Sequence, residues 1–181
     1  MIVEKEMIDI LEEMSKENAE LGLIAKVVYC YGRTLDEVVS LKLSDIDFES
    51  ETILFHVHSQ GKKTPIRCSL KGNKGCVLNK LNIMKSLQYY NRKNQGDPLF
   101  LKTAESSIPS KKRIVQRFLY KYNLTSQGLR KLRGIHLYEK GVGVESIQEL
   151  YLHKERSTTI KYLGLKKEKL ALDRDFIIEN L

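Results

Sequence analysis

The chain has 181 residues, 41% of them hydrophobic, and a formal net charge of +8. This composition excludes an intrinsically disordered protein and favours one folded domain with a sizeable core. No apolar run is long enough to cross a bilayer and no signal peptide pattern stands at Met1, so we expect neither a membrane protein nor a secreted one. Three cysteines without paired spacing predict reduced thiols in a cytoplasmic setting and no cysteine-bound metal (Cys30, Cys68 and Cys76).

The charge is unevenly distributed along the chain. Residues 51–140 contain 19 basic and 4 acidic residues, whereas residues 1–50 contain 5 basic and 12 acidic ones. A concentration of positive charge of this kind favours binding of a polyanion such as a nucleic acid. Charge alone leaves open the alternative that the lysines form an ordinary solvated surface.

The first third of the chain is predicted to be helical. Apolar residues three to four positions apart predict one helix around residues 7–14 and a second that ends before Gly32. The run Thr34–Glu37 is a capping box that begins a third helix. Arg33 therefore lies at a corner just before a helix N-terminus, where anions bind favourably. Taken alone, Arg33 fits an ordinary bond to a helix-end carbonyl or to Asp36 better.

The next segment changes from helical to strand periodicity. Apolar and polar residues alternate over residues 52–57 and 65–70, which predicts a β-hairpin. The proline that opens the second stretch predicts an edge strand. A turn predicted over residues 59–63 presents Lys62 and Lys63 at its tip, where a lysine reaches a phosphate or a leaving oxygen. An ordinary charged turn is the alternative.

The remainder of the chain is predicted to be mostly helical. Its apolar patterns predict helices over residues 77–93, from Lys111, from an N-cap at Ser126 to Gly141, after Gly143, from Ser157, and over residues 166–181. The helix from Lys111 has a basic side that fits DNA backbone and solvent equally well. The predicted fold class is α+β, mainly α-helical with a small antiparallel β-hairpin or sheet.

The stretch Tyr31–Ile53 resembles the first sequence box of the tyrosine recombinase (phage integrase) family. It contains Gly32-Arg33 where the family has Gly-x-Arg, then a helix, then Leu-x-x-x-Asp-Ile-Asp ahead of a hairpin. The resemblance implies that Arg33 is the first catalytic arginine. It also implies that the hairpin carries a catalytic lysine, which is Lys62 with Lys63 as the alternative.

Three further motifs extend the resemblance over nearly the whole chain. The family's His-x-x-Arg reads Gln-Gly-Leu-Arg here, so Arg130 matches the second arginine and Gln127 replaces the histidine. The family's Leu-Gly-His reads Tyr-Leu-His, so His153 is kept and Leu152 replaces the glycine. Tyr162 follows nine residues later in a Thr-Thr-x-x-Tyr motif and matches the nucleophile.

The resemblance implies a DNA-cleaving enzyme that uses no metal and no nucleotide cofactor. Two arginine forks, Arg33 and Arg130, pair with the non-bridging phosphate oxygens and stabilise charge in the transition state. Tyr162 attacks the phosphorus, which gives a 3′-phosphotyrosyl link and a free 5′-hydroxyl. Lys62 protonates the leaving oxygen, and His153 donates to a non-bridging oxygen.

The resemblance also predicts the partners of the chain. We expect double-stranded DNA at a specific recombination site, with Lys63 and Lys131 among the residues that contact it. The whole of residues 1–181 is expected to be a single catalytic domain without the family's N-terminal core-binding domain. Full-length protein is expected to form a tetramer on DNA, and the chain alone a monomer, in the cytoplasm of a bacterium or encoded by a phage or mobile element. The alternatives are a catalytically impaired DNA-binding relative and a type IB topoisomerase-like relaxing enzyme.

Overall fold

The computed structural model describes residues 2–59, 62–72, 76–93, 99–101 and 107–165, apart from the side chains of residues 58, 59, 62, 63 and 93. The chain divides into two compact units, residues 1–133 and 134–181, and the division falls within one helix. The helix predicted over residues 166–181 lies outside the described residues.

Helices dominate the described part of the chain. They are α1 (Glu4–Glu17), α2 (Ala19–Tyr31), α3 (Leu35–Val39), α4 (Val77–Lys80), α5 (Ile83–Lys93), α6 (Ile108–Tyr120), α7 (Ser126–Glu139), α8 (Val144–Tyr151) and α9 (Arg156–Leu163). One antiparallel sheet contains β1 (Ile46–Asp47), β2 (Thr52–Ser59) and β3 (Lys62–Ser69). This architecture confirms the predicted fold class. Among the described helices, none combines the length and the apolar character needed to cross a membrane.

The core of the N-terminal unit is built on the pair α1 and α2. Helix α2 is buried on all its faces from Leu21 to Tyr31, and α1 buries one apolar stripe against it (Met7, Leu11 and Met14). The two helices approach closely at Gly22, where a Cβ atom would lie 2.5 Å from the Cα atom of Ser15. The apolar face predicted for α1 is therefore confirmed, whereas α2 is buried all round instead of on one predicted face.

Two local signals fix the course of the chain around Arg33. Helix α2 ends at Gly32, whose φ of 58° is a left-handed conformation that suits glycine. The predicted capping box then begins α3, since the Thr34 amide donates to Glu37 Oε2 at 3.0 Å and the Glu37 amide donates to Thr34 Oγ1 at 3.4 Å. Both predictions are confirmed, and together they place Arg33 at the corner between the two helices.

The sheet has the order β1-β2-β3, so β3 is an edge strand as its proline predicted. The register pairs Ser59 with Lys62, which leaves only residues 60 and 61 between the strands. The predicted turn over residues 59–63 is therefore too long, because Lys62 and Lys63 are the first residues of β3. Residues 60 and 61 lie outside the described part.

Two predicted helix boundaries are wrong. Residues 77–93 form two helices instead of one, because Asn82 has a φ of 49° and breaks the run between α4 and α5. The N-cap of α7 is Thr125 instead of Ser126, since Thr125 Oγ1 accepts a hydrogen bond from the Gly128 amide at 2.9 Å. Ser126 is the first helical residue.

Helix α6 also differs from its prediction. It begins at Ile108, three residues before the predicted start at Lys111. The Lys111 side chain is only 4% exposed, and its ammonium group donates to the Phe100 carbonyl at 2.9 Å. Burial lowers the pKa of this ammonium group. Lys111 is thus part of the interior and not of a basic surface that contacts DNA or solvent.

The C-terminal unit has a small core of its own. Ile147, Tyr151 and Leu163 are its buried residues, and they come from α8 and α9. The part of α7 in this unit packs against them through Gly134, where a Cβ atom would lie 2.6 Å from both the Tyr151 hydroxyl and Leu163 Cδ2. This core sets the position of α9, which carries Tyr162.

Candidate active site

Arg33 is a buried cation without an anionic partner among the described residues. Its side chain is 3% exposed, its guanidinium carbon lies 5.7 Å from the centre of the Phe55 ring, and Nε has no hydrogen-bond partner. The alternative partner Asp36 pairs with Lys112 instead, at 2.8 Å. The alternatives left open by the sequence therefore do not account for the Arg33 charge.

Other buried cations of the described residues each have an oxygen atom nearby. Lys26 pairs with Glu12 at 2.9 Å and Lys111 donates to the Phe100 carbonyl at 2.9 Å. Arg133 forms a longer ion pair with Glu4 at 3.9 Å, and its Nε, like that of Arg33, has no hydrogen-bond partner. Buried charges in proteins are usually paired in this way, because an unpaired one is costly. The contrast indicates that the Arg33 guanidinium is available to an anion from outside the chain.

The surroundings of Arg33 hold it in a defined place. Phe55 is fully buried and contacts the ring of Tyr31 with 5.2 Å between the ring centres. The Tyr31 hydroxyl donates to the Ser69 carbonyl of β3 at 2.9 Å, which joins α2 to the sheet. Cys68 lies beside the guanidinium, and burial raises the pKa of its thiol although Arg33 partly offsets this. The neighbouring thiol therefore stays neutral and does not compensate the Arg33 charge.

The first turns of α7 carry three further predicted residues of the N-terminal unit. Arg130 is partly buried, and its Nε atom is inaccessible to solvent. Gln127 and Lys131 are exposed. Gln127 lies three residues before Arg130, so both occupy one side of the helix. Arg133, three residues further on, is buried and pairs with Glu4, which distinguishes it from the residues predicted to bind phosphate.

The lysines of the hairpin are located only by their backbone. Lys62 pairs with Ser59 and Lys63 with His58, at the start of β3. Their side chains lie outside the described part of the chain. The choice of Lys62 over Lys63 as the catalytic lysine stays a prediction.

The backbone around His153 is fixed by Gln148, a residue that the sequence did not single out. Helix α8 ends at Leu152, whose φ of 55° and ψ of 37° place it in the left-handed region. The His153 amide donates to the Gln148 carbonyl at 3.1 Å. The Gln148 side chain donates in return to the carbonyls of His153 and Lys154, at 3.0 and 3.1 Å. A glycine suits the Leu152 conformation best, which is the residue that the family motif has there.

His153 and Tyr162 are brought together within the C-terminal unit. Their ring centres lie 5.5 Å apart with an interplanar angle of 74°, an edge-to-face contact. Tyr151 contacts both rings, at 5.6 Å from His153 and 5.5 Å from Tyr162. Nδ1 of His153 lies 2.9 Å from Oγ1 of Thr159, a second residue that the sequence did not single out. A hydrogen-bonding ring thus lies beside the phenol that was predicted to be the nucleophile.

Comparison with known proteins shows which protein family the sequence matches. The family model described as phage integrase family matches residues 1–169. Tyrosine recombinase XerA of Pyrococcus furiosus is 27% identical over 192 residues, which cover 99% of this chain and 63% of the relative. Tyrosine recombinase XerC of Bacillus subtilis is 25% identical over 81% of this chain and 50% of the relative. The chain thus spans one half to two thirds of the length of these curated relatives.

Solved structures of recombinases share the fold. A crystal structure of XerA recombinase superposes with a TM-score of 0.68 at 18% identity, over 99% of this chain and 65% of that one. The Tn1549 transposon integrase in complex with transposon right end DNA gives a TM-score of 0.66 at 15% identity, over the same shares of the two chains. Because the family model covers nearly the whole sequence, the chain belongs to the phage integrase family.

Proposed function

We propose that the chain is the catalytic part of a site-specific DNA recombinase, which cleaves and rejoins DNA strands through a covalent 3′-phosphotyrosyl intermediate. Its family and the tyrosine recombinases among its relatives support this function. The observation that carries the proposal is the buried guanidinium of Arg33, which has no oxygen partner among the described residues. A phosphodiester is the anion that a member of this family would supply to it.

Each predicted residue receives one chemical role. Arg33 and Arg130 pair with the non-bridging oxygens and stabilise the charge of the five-coordinate transition state. Tyr162 attacks the phosphorus and displaces the 5′ oxygen, to which Lys62 gives a proton. His153 donates a hydrogen bond to a non-bridging oxygen. A second strand's 5′-hydroxyl then reverses the step and releases Tyr162.

The partner in this proposal is double-stranded DNA at a specific recombination site. Lys63 and the exposed Lys131 contact the DNA, and the reaction needs no metal. The full-length protein works as a tetramer on two DNA sites in the cytoplasm, during integration, excision or resolution of a mobile element. Solved structures of recombinases bound to DNA support DNA as the partner.

The test traps the covalent intermediate. The 181-residue chain is incubated with a pool of nicked duplexes whose sequence beside the nick is randomised. The label is on the strand that becomes joined to Tyr162 through its 3′ phosphate. We expect a labelled adduct that survives denaturation, is lost in Tyr162→Phe and persists in Tyr89→Phe, which alters another tyrosine that is 59% exposed. Sequencing of the trapped DNA gives the site. Absence of any adduct while the chain binds DNA would contradict cleavage.

One observation favours a second candidate, a DNA-binding relative with impaired catalysis. Gln127 occupies the position of the family's histidine, and an amide cannot accept a proton as imidazole does. The trapping experiment separates the two functions, because an impaired relative selects a site from the pool without forming the Tyr162-dependent adduct. Relaxation of supercoiled plasmid without site preference would instead indicate a topoisomerase-like enzyme.

A further inference from the structure

Thr159 is a fully buried polar residue of the C-terminal unit. It lies in α9, three residues before Tyr162, and its side chain has no exposure to solvent. Its Oγ1 atom lies 2.9 Å from Nδ1 of His153. Its neighbour Thr158 is exposed, so the two threonines of the motif differ sharply in their surroundings.

The hydroxyl hydrogen of Thr159 needs an acceptor, and this need determines which of the two atoms donates in the hydrogen bond. A threonine hydroxyl has one hydrogen to donate, and His153 Nδ1 is its hydrogen-bond partner within the described residues. If Nδ1 carried a hydrogen, Oγ1 would accept it, and the hydroxyl hydrogen would be buried without an acceptor. An unsatisfied buried donor is unfavourable, so the hydroxyl donates and Nδ1 accepts.

A neutral imidazole carries its single hydrogen on the nitrogen that does not accept. With Nδ1 accepting from Thr159, the hydrogen of His153 is on Nε2. This tautomer presents an N–H donor to a phosphate oxygen. The other tautomer would present a lone pair to an oxygen that is itself negatively charged, which is repulsive.

The rest of the unit keeps the ring in the orientation that this bond requires. The rings of Tyr151 and Tyr162 each make an edge-to-face contact with the His153 ring and also contact each other. The Gln148 side chain holds the backbone of the same loop through the carbonyls of His153 and Lys154. The loop and the ring are thus held separately, and Thr159 is the contact that selects the tautomer.

We propose that Thr159 is a positioning residue that holds His153 in its Nε2–H tautomer, ready to donate to the phosphate under attack by Tyr162. The role of the donor rests on the proposed strand-cleavage function, whereas the tautomer itself is a property of the free protein. The two therefore have separate tests.

The first test reads the tautomer directly by NMR. Long-range ¹H–¹⁵N correlation spectra of ¹⁵N-histidine-labelled chain, at a pH where the ring is neutral, show which ring nitrogen carries the hydrogen. The His153 signals are assigned by their loss in His153→Gln. We expect the Nε2–H form in the wild type, in Thr159→Ser and in the matched control Thr158→Val, and a mixture of both forms in Thr159→Val. An Nδ1–H form in the wild type would overturn the proposal without any variant.

The second test measures formation of the Tyr162 adduct under single-turnover conditions. Loss of tautomer control at a positioned histidine slows enzymes strongly, so we expect Thr159→Val to cleave roughly 10- to 100-fold more slowly at saturating DNA. The DNA concentration for half-maximal rate is expected to stay unchanged. Thr159→Ser should restore most of the rate, and Thr158→Val should leave it intact.

The outcomes separate the two proposals. If the wild type forms no adduct at all, strand cleavage fails, and the NMR result alone decides the tautomer. If the wild type cleaves DNA and Thr159→Val keeps both its rate and the Nε2–H signal, the role of Thr159 is refuted while the proposed function stands.

Discussion

The guanidinium of Arg33 lies over the face of the Phe55 ring, with 5.7 Å between the guanidinium carbon and the ring centre. Such a cation–π contact stabilises a buried cation, but without neutralising its charge. A carboxylate in the same place would form an ion pair that competes with a phosphate. The contact therefore keeps Arg33 ordered and its positive charge available.

This arrangement predicts that Arg33 lowers the stability of the fold but is required for DNA cleavage. Replacing Arg33 with methionine removes a buried charge that has no oxygen partner among the described residues, and keeps most of the apolar stem. We expect a gain of about 1 to 2 kcal/mol in the free energy of unfolding, measured by urea denaturation, together with loss of the adduct.

Arg133 supplies the matched control, since it is also buried but pairs with Glu4 and lies over the Tyr29 ring. Arg133→Met leaves the Glu4 carboxylate, which is itself largely buried, without this partner, and we expect a loss of about 1 to 3 kcal/mol. If both variants changed stability in the same direction, the distinction between an unpaired and a paired buried arginine would be refuted.

At Gly134, substitution by alanine is predicted to lower the free energy of unfolding, although helix propensity alone favours alanine. An alanine inside a helix is normally about 1 kcal/mol more favourable than a glycine. At Gly134 of α7 the added methyl group meets the Tyr151 hydroxyl and Leu163 Cδ2 at 2.6 Å. Overpacking of this kind costs about 1 to 3 kcal/mol, so we expect Gly134→Ala to lower the free energy of unfolding.

A double-mutant cycle isolates the cause of that loss. In a Leu163→Ala background one of the two close contacts is absent, and the cost of Gly134→Ala should shrink. An equal cost in both backgrounds, or a gain in stability from Gly134→Ala alone, would show that α7 does not approach Leu163 as described.

Much of the N-terminal unit was predictable because its signals are local. The apolar spacing of α1 and α2, the stop at Gly32 and the capping box at Thr34 each act within a few residues, and the structure contains all of them. The break at Asn82 was not predictable, because no glycine or proline marks it. Lys111 was misjudged because its partner, the Phe100 carbonyl, comes from another segment of the chain.

In the candidate site, too, some features could be predicted from the sequence and others could not. Residue type alone favoured an ordinary contact for Arg33, and the family resemblance singled out Arg33, His153 and Tyr162 and implied their roles. The sequence did not indicate that Arg33 lacks an anionic partner among the described residues, nor that Thr159 and Gln148 hold His153 and its loop, because these facts depend on how side chains pack. A buried hydroxyl inside a motif has no signature distinct from the exposed Thr158 beside it.

Cys30 predicts how stability depends on pH in the alkaline range. Burial raises the pKa of its thiol to about 12, from an ordinary value of 9.0. The unfolded chain therefore loses this proton above pH 9 while the folded chain keeps it. The contribution of Cys30 to stability is fully present below pH 9 and is lost as the pH rises towards 12.

The measurement compares urea denaturation of the wild type and Cys30→Ala at several pH values. The alanine variant is expected to be less stable at pH 7, because it leaves a small cavity. Between pH 9 and 10.5 the difference between the two proteins should shrink by about 1 to 2 kcal/mol, since only the wild type has the thiol to ionise on unfolding. A difference that stays constant over this range would contradict the raised pKa.

Gln127 is the position where the predicted site departs from the family pattern in its chemistry. It lies exposed in the first turn of α7, three residues before Arg130, so a histidine there needs no repacking. An imidazole can accept and return a proton, whereas the glutamine amide can only form hydrogen bonds. General acid–base catalysis contributes about 100-fold or more where it operates, so we expect Gln127→His to accelerate adduct formation by about tenfold or more in single-turnover experiments.

Gln127→Leu serves as the control for this last prediction. If the glutamine binds the phosphate through hydrogen bonds, the leucine variant should cleave more slowly than the wild type, because it removes the hydrogen bonds and supplies no proton acceptor. The expected order of cleavage rates is then histidine, glutamine, leucine. A histidine variant that is no faster than the wild type would mean that Gln127 has another task, and that proton transfer at this position does not limit the cleavage step.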